Sequence, residues 1–217
     1  MSGPLLGLIS EALKLWIRDS CDSVSSLELQ LEGSALGVLD GRLEGASLTA
    51  TEVRLSGMAL GQVGIRAEAF ALDLGGLAQG RPARLLGPLE IAISACLDGE
   101  SLRWNLLQFE DGALGQTLLD QLLPAEPSWR LSDVVPWRQG ITLVVTGPLG
   151  QRQLHCTLAI AREGHGLLLQ ASDPAGGLAG PQLQQARLPL DPAISLTAVS
   201  SDRWSVQLQA VARLTSL

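Results

Sequence analysis

The chain has 217 residues, of which 46% are hydrophobic and 17% are charged, and its formal net charge is −7. Nucleic-acid binding needs a basic face and usually stacking aromatic residues, so an acidic chain with 3% aromatic residues argues against it. The same charge argues against simple electrostatic attachment to an anionic membrane. The length suits one domain, which we expect to span residues 1–217.

The first predicted element is an amphipathic helix over residues 4–20. Pro4 suits the first turn of a helix. Apolar side chains recur at helical spacing along one stripe, and among them are Leu5, Ile9, Leu13 and Trp16. Such a stripe predicts a helix buried against a sheet, and its wide apolar arc leaves open an additional contact with lipid or a membrane.

The N-terminal segment does not resemble a signal peptide, because it lacks a basic start and Glu11 and Lys14 interrupt its apolar residues. No apolar run approaches the roughly 18 residues of a membrane-spanning helix. Three widely spaced cysteines favour free thiols in a reducing compartment over a disulfide framework. We therefore expect a cytoplasmic protein that attaches peripherally to a membrane.

From Leu27 to Leu74 the residues alternate between apolar and polar, and this period of two predicts strands with one apolar face. The alternation shifts by one residue between Ala50 and Val53, and such a shift needs a bulge or bend. Frequent glycines and shifts of this kind predict a strongly curved sheet. The expected strands are 27–32, 36–40, 43–50, 52–57, 59–67 and 69–74.

The middle of the chain predicts a strand and then a Leu-rich helical region. The strand covers residues 89–97, and leucines recur at helical spacing over about 99–123, with a break near Gly112. Pro124 and Pro127 follow the helical region and end it. The last third predicts strands again, over 129–135, 141–147, 153–162, 166–172, 186–191, 194–200 and 203–214.

The sequence offers no constellation of catalytic residues. It has no nucleophile elbow, phosphate-binding loop or dinucleotide-binding glycine motif. His155 and Cys156 are adjacent on a predicted strand, so their side chains point to opposite faces and do not form a catalytic pair. We expect no enzymatic activity, no metal and no cofactor.

One basic segment is a candidate for contact with a ligand. Arg81 and Arg84 precede Leu85 and Leu86. Arginine next to exposed leucine suits a phosphate headgroup with its hydrocarbon chain alongside. The same residues also suit an ordinary solvated turn, and the sequence leaves both interpretations open.

The order of these elements resembles a known family. An amphipathic helix precedes the glycine-punctuated strands LELQLEGSALGVLDGRLEGASLTATEVRLSGMALGQVGIRAEAFALDL, and the segment QGRPARLLGPLEIAISACL and the helical region follow. This pattern resembles the LmeA-like phospholipid-binding family, formerly a domain of unknown function, in its cyanobacterial-type branch. The β-groove repeats of AsmA-type lipid-transfer proteins are similar in texture.

The resemblance implies an α+β fold in which a strongly curved antiparallel sheet wraps around the N-terminal helix, with a Leu-rich helical pair mid-chain. This half-barrel would be TULIP-like in style, and its groove would bind phospholipid or another acyl-chain lipid. The sheet would line the groove through Leu48, Val53, Leu55, Ile65, Ile91 and Ile93. The helix would form its floor or gate through Leu5, Ile9, Leu13 and Trp16. Arg81 and Arg84 would stand near the headgroup.

The alternative is a structural or protein-interaction module whose apolar sheet face is fully used by its own core. An exposed strand edge or groove would then bind a protein partner. The presence or absence of an open apolar cavity large enough for a hydrocarbon chain distinguishes the two hypotheses.

Overall fold

The computed structural model describes residues 4–73, 84–123, 128–148, 150–174 and 184–214. In these ranges the chain has an α+β arrangement dominated by open antiparallel sheets. The helices are α1 (Pro4–Ser20), α2 (Ala35–Leu39), α3 (Gly99–Arg103) and α4 (Ala113–Leu122). The strands are β1 (Ser26–Glu32), β2 (Arg42–Leu43), β3 (Gly45–Leu55), β4 (Met58–Ala67), β5 (Phe70–Ala71), β6 (Leu89–Asp98), β7 (Arg130–Trp137), β8 (Gly140–Gly147), β9 (Gly150–Ile160), β10 (Gly166–Ser172), β11 (Gln185–Pro189), β12 (Ile194–Ser201) and β13 (Ser205–Leu214).

The strands form two main sheets. A six-stranded sheet has the order β1-β3-β4-β6-β13-β12, and a five-stranded sheet has the order β11-β10-β9-β8-β7. Strands β2 and β5 form a separate pair. Strand β12 contacts β8 and β9, and β13 contacts β7, so the two sheets pack against each other. The antiparallel sheet expected from the sequence is thus one of two sheets that share a core.

Most predicted elements are confirmed, and segment 36–40 is corrected. It was expected to be a strand, but it forms α2. The side chain of Ser34 accepts a hydrogen bond from the amide of Gly37 at 3.1 Å, and this cap satisfies an amide at the start of the helix. The segments expected as strands 43–50 and 52–57 are one strand, β3.

The bend predicted near residues 50–53 lies inside the ladder formed by β3 and β4. Glu52 has a left-handed backbone, with φ 50°, while Thr51 pairs with Gln62 and Val53 pairs with Leu60. The register is therefore the same on both sides of Glu52, and the two strands turn together. This turn keeps Val53 and Leu60 on the side that already holds Ala50, in spite of the shifted alternation.

The apolar face of the six-stranded sheet is continuous, but different elements cover its two ends. On β6 and β13 the pairs Leu97–Val206 and Ile91–Ala212 lie on this face. Val206 is part of the main core, together with the helical region and the five-stranded sheet. Ile91 and Ala212 belong to a separate cluster, which shares no residue with that core. The main core therefore covers one end of the face and leaves the other end to other elements.

The helical region holds the tip of the β3–β4 hairpin. A π-helical turn, Trp104–Gln108, joins α3 to a 3-10 turn, Phe109–Gly112, before α4. Trp104 Nε1 donates to the carbonyl of Gly57 at 2.8 Å. Asn105 Oδ1 accepts from the amide of Ala59 at 2.7 Å, and Asn105 Nδ2 donates to the carbonyl of Ala59 at 2.8 Å. The hairpin tip is thus fixed to the main core.

Replacing Asn105 with leucine is expected to lower the free energy of unfolding by about 1–3 kcal/mol, because both backbone groups of Ala59 lose their partner. Urea unfolding followed by circular dichroism measures this change. Gln207→Leu, on an exposed position of β13, is the control and should change the free energy by less than about 0.5 kcal/mol. Equal losses in the two variants would contradict a specific role for Asn105.

Candidate functional site

An apolar cavity of about 410 Å³ lies between α1 and the uncovered end of the six-stranded sheet. This volume falls in the range of small-molecule sites, about 300–1,000 Å³. None of the described residues that line it is charged, and Ser20 and Cys21 are its polar members. The other lining residues are Leu13, Trp16, Ile17, Val24, Leu27, Leu29, Leu31, Ala46, Leu48, Ala50, Val53, Leu55, Leu60, Val63, Ile65, Ala67, Phe70, Leu72, Leu89, Ile91 and Leu214.

Helix α1 forms one wall of the cavity. It contacts β1 and α2, and Ser10 Oγ donates to the carbonyl of Leu29 at 3.2 Å. Leu13 packs in a cluster with Leu31, while Ile17 packs in a cluster with Leu27. The helix therefore runs antiparallel to β1, and the cavity extends along both of them.

Seven of the residues expected in the groove line this cavity. They come from α1, β3, β4 and β6, and they are Leu13, Trp16, Leu48, Val53, Leu55, Ile65 and Ile91. Two further residues lie close by without lining it. Ile9 packs on the cluster of Leu13 and Leu31, and Ile93 packs on the cluster of Ala67 and Ile91. The side chain of Leu5 is outside the described part of the chain.

Of the two arginines expected at a headgroup, Arg81 lies outside the described residues and Arg84 is exposed. The carbonyl of Arg84 accepts a hydrogen bond from the amide of Asp73 at 2.8 Å. The next residue, Leu85, packs on the clusters that contain Leu72 and Leu89. Arg84 therefore lies beside the end of the cavity that Leu72 and Leu89 line.

The β1 residues Leu27, Leu29 and Leu31 line the cavity, although we did not expect them there from the sequence. Their alternation is visible in the sequence, but the position of α1 against β1 is not. Cys21, which lies just after α1, is a further lining residue that we did not expect. Burial, and secondarily the negative charge of Asp22, raise the pKa of the Cys21 thiol.

The other candidate groups for chemistry lie away from the cavity. The ring of His155 stacks on Trp137 with 4.7 Å between centroids, and its Nδ1 lies 3.0 Å from Thr142 Oγ1. Cys156 is buried in the main core, and burial raises the pKa of its thiol to about 12. These residues hold the five-stranded sheet together and do not reach the groove.

Within the described ranges, no helix combines the length and the apolar composition needed to cross a bilayer. The same ranges contain no group of three or more His, Cys, Asp or Glu side chains placed to hold a metal ion.

A comparison with protein families matches residues 2–214 to the family described as LmeA-like phospholipid-binding. Comparisons with curated proteins and with solved structures gave no match. Because the family match extends over nearly the whole chain, this protein belongs to the LmeA-like phospholipid-binding family.

Proposed function

We propose that this protein binds a phospholipid or another acyl-chain lipid in the cavity between α1 and the six-stranded sheet, and that it does so without catalysing a reaction. The observation that carries the proposal is a lining with no charged side chain among the described residues. An apolar wall gives a hydrocarbon chain about 0.8 kcal/mol for each methylene removed from water. The family match favours the same class of ligand.

The proposal includes the whole set of residues named from the sequence. Leu48, Val53, Leu55, Ile65, Ile91 and Ile93 would contact the chain from the sheet, and Leu5, Ile9, Leu13 and Trp16 would contact it from the helix. The headgroup roles of Arg81 and Arg84 stay predictions. We further propose that residues 1–217 act as one unit, with the six-stranded sheet wrapped around α1.

Membrane docking is also part of the proposal. A chain of about 16 carbons would gain on the order of 12 kcal/mol in the groove, so escape of the lipid through water would be slow. Exchange would therefore take place while the protein is docked on a bilayer, from the cytoplasmic side. With a net charge of −7, this docking would depend on local apolar contacts.

The alternative hypothesis was a protein-interaction module whose own core uses the whole apolar face. That hypothesis expects no open apolar space next to the sheet. The cavity of about 410 Å³ weighs against it, since a large part of the face borders open space.

Native mass spectrometry of the purified protein, followed by extraction and lipid analysis, tests lipid binding. We expect about one bound lipid in the unaltered protein and less than a tenth of that occupancy in Ile65→Trp, because the larger side chain fills the cavity. Gln62→Trp is the matched control, since Gln62 is an exposed residue of the same strand and does not line the cavity. Full occupancy in Ile65→Trp, or no lipid uptake from liposomes by any form, would contradict the proposal.

A second prediction uses the native cysteines as reporters. Bound lipid should slow alkylation of Cys21 by about tenfold or more, because Cys21 lines the cavity. Cys96 lies on the opposite face of β6, where it pairs with Gln62 and Gln207, and its rate should not change. Working at about pH 8.5 supplies enough thiolate in spite of the raised pKa of Cys21. Cys156 should react only after unfolding, because burial raises its pKa to about 12.

Liposome flotation at different salt concentrations tests the mode of docking. Association should change by less than about threefold between roughly 0.05 and 0.5 M salt, because screening acts on charge pairs and leaves apolar contacts intact. A large loss of association at high salt would show that docking is electrostatic instead.

A further inference from the structure

The two ends of the cavity differ in exposure. Among the described lining residues, the exposed ones are Trp16, Ser20 and Leu55. All three lie at one end, where the last turns of α1 approach the tip of the β3–β4 hairpin. Trp16 is 39% exposed and Leu55 is 46% exposed. Met58, which pairs with Leu55, is 42% exposed. We refer to this end, formed by Trp16, Ser20, Cys21, Leu55 and Met58, as the mouth.

The opposite end is lined by buried side chains. Leu72 is 2% exposed, Leu89 is 8% exposed and Ala67 is 7% exposed. Leu13 and Leu31 border this end from α1 and β1, and both are buried. We refer to the part lined by Ala67, Leu72 and Leu89 as the inner end.

The two ends of the cavity also differ in the polarity of their lining residues. Ser20 and Cys21, the polar lining residues, both lie at the mouth, while the described lining of the inner end is hydrocarbon only. Burying a polar or charged headgroup among hydrocarbon side chains without partners costs several kcal/mol, so it is strongly disfavoured at the inner end. A methyl terminus placed at the inner end loses no hydrogen bond.

We propose that the groove holds its lipid in one orientation, with the methyl end of the chain at the inner end and the polar end at the mouth. The inference rests on the proposed lipid binding and adds its direction. The polar end of the ligand would reach water at the mouth, because Trp16, Ser20 and Leu55 are exposed there. The ligand class that fits this geometry is an amphiphile whose hydrocarbon part fills the groove and whose polar group lies at one end.

This orientation also assigns the membrane-facing surface. Trp16, Leu55 and Met58 are exposed apolar residues continuous with the groove, and tryptophan favours the interface between a bilayer and water. A lipid can pass between the groove and a bilayer only where the groove is open to that bilayer. The occupant of this apolar rim is therefore a lipid bilayer.

The sequence-based hypothesis predicts the reverse direction. Arg84 lies beside the inner end, so a headgroup held by Arg84 would place the methyl end at the mouth. The exposed side chains Leu36 and Leu86 also lie on the side of the inner end. The amide of Leu86 donates to the carbonyl of Ala71. Ala71 pairs with Arg42, which follows α2, the helix that contains Leu36. The two directions are distinguishable by experiment.

Photo-crosslinking with two positional isomers of a long-chain fatty acid separates them. One isomer carries a diazirine next to the carboxyl group, and the other carries it next to the methyl group. We expect the first to label Trp16, Cys21 or Leu55 and the second to label peptides containing Leu72 or Leu89, with at least about a tenfold preference in each case. A reversed or an equal distribution overturns the orientation. An absence of groove adducts with both isomers, together with no lipid in native mass spectrometry, overturns the proposed lipid binding itself.

Vesicle association tests the position of the mouth. The double variant Trp16→Ser and Leu55→Ser should bind phosphatidylcholine vesicles at least about tenfold more weakly than the unaltered protein, because it loses two exposed apolar contacts. The double variant Leu36→Ser and Leu86→Ser is the matched control, with two exposed apolar residues removed at the other end, and should change binding by less than about twofold. The opposite ranking overturns the assignment. Circular dichroism spectra of both variants confirm that they are folded.

Discussion

The rest of the structure depends on one constraint, which is that the apolar face of the six-stranded sheet is larger than the described elements that cover it. A single row across this face runs through Leu29, Leu48, Ile65, Ile93 and Ala210, each paired with the next. Removing such a surface from water is the main favourable contribution to folding. The five-stranded sheet and the helical region cover one end of it, and α1 covers only part of the rest.

This division explains why one molecule has a dense core and an open groove. Around the main core, Leu154, Val145 and Val134 are fully buried. Around the groove, Leu48, Val63 and Ile65 are only half-buried although they point to the same side of the sheet. The groove is thus the part of a common hydrophobic face that the described residues cover incompletely, and a hydrocarbon ligand would complete the cover.

The local part of the fold was predictable from the sequence, because alternation is a local property. It located β6, β10 and β13 to within about two residues, and it identified seven side chains of the cavity. It failed at α2, where Leu36 and Val38 alternate as in a strand but the cap from Ser34 favours a helical turn. A stretch of five residues is too short for its periodicity to distinguish a helix from a strand.

The long-range part was not predictable. No residue pattern shows that β6 pairs with β13 across more than a hundred positions, or that the strands divide into two sheets. For the same reason the contribution of β1 to the groove was missed, since it depends on where α1 lies. The difference between the mouth and the inner end depends on exposure, which follows only from the complete arrangement of α1 and the hairpin.

The two sides of the groove, α1 and the β3–β4 hairpin, are held by different kinds of contact and therefore differ in stiffness. The hairpin is held by hydrogen bonds from Trp104 and Asn105, in addition to the hydrogen bonds between β3 and β4. Among the described residues, the bond that ties the body of α1 to the sheet is that of Ser10 with Leu29, and the remaining contacts are apolar. Apolar contacts are non-directional, so a helix can slide on them with little loss of energy. A thicker or branched chain would therefore be accommodated by displacement of α1, while the sheet keeps its shape.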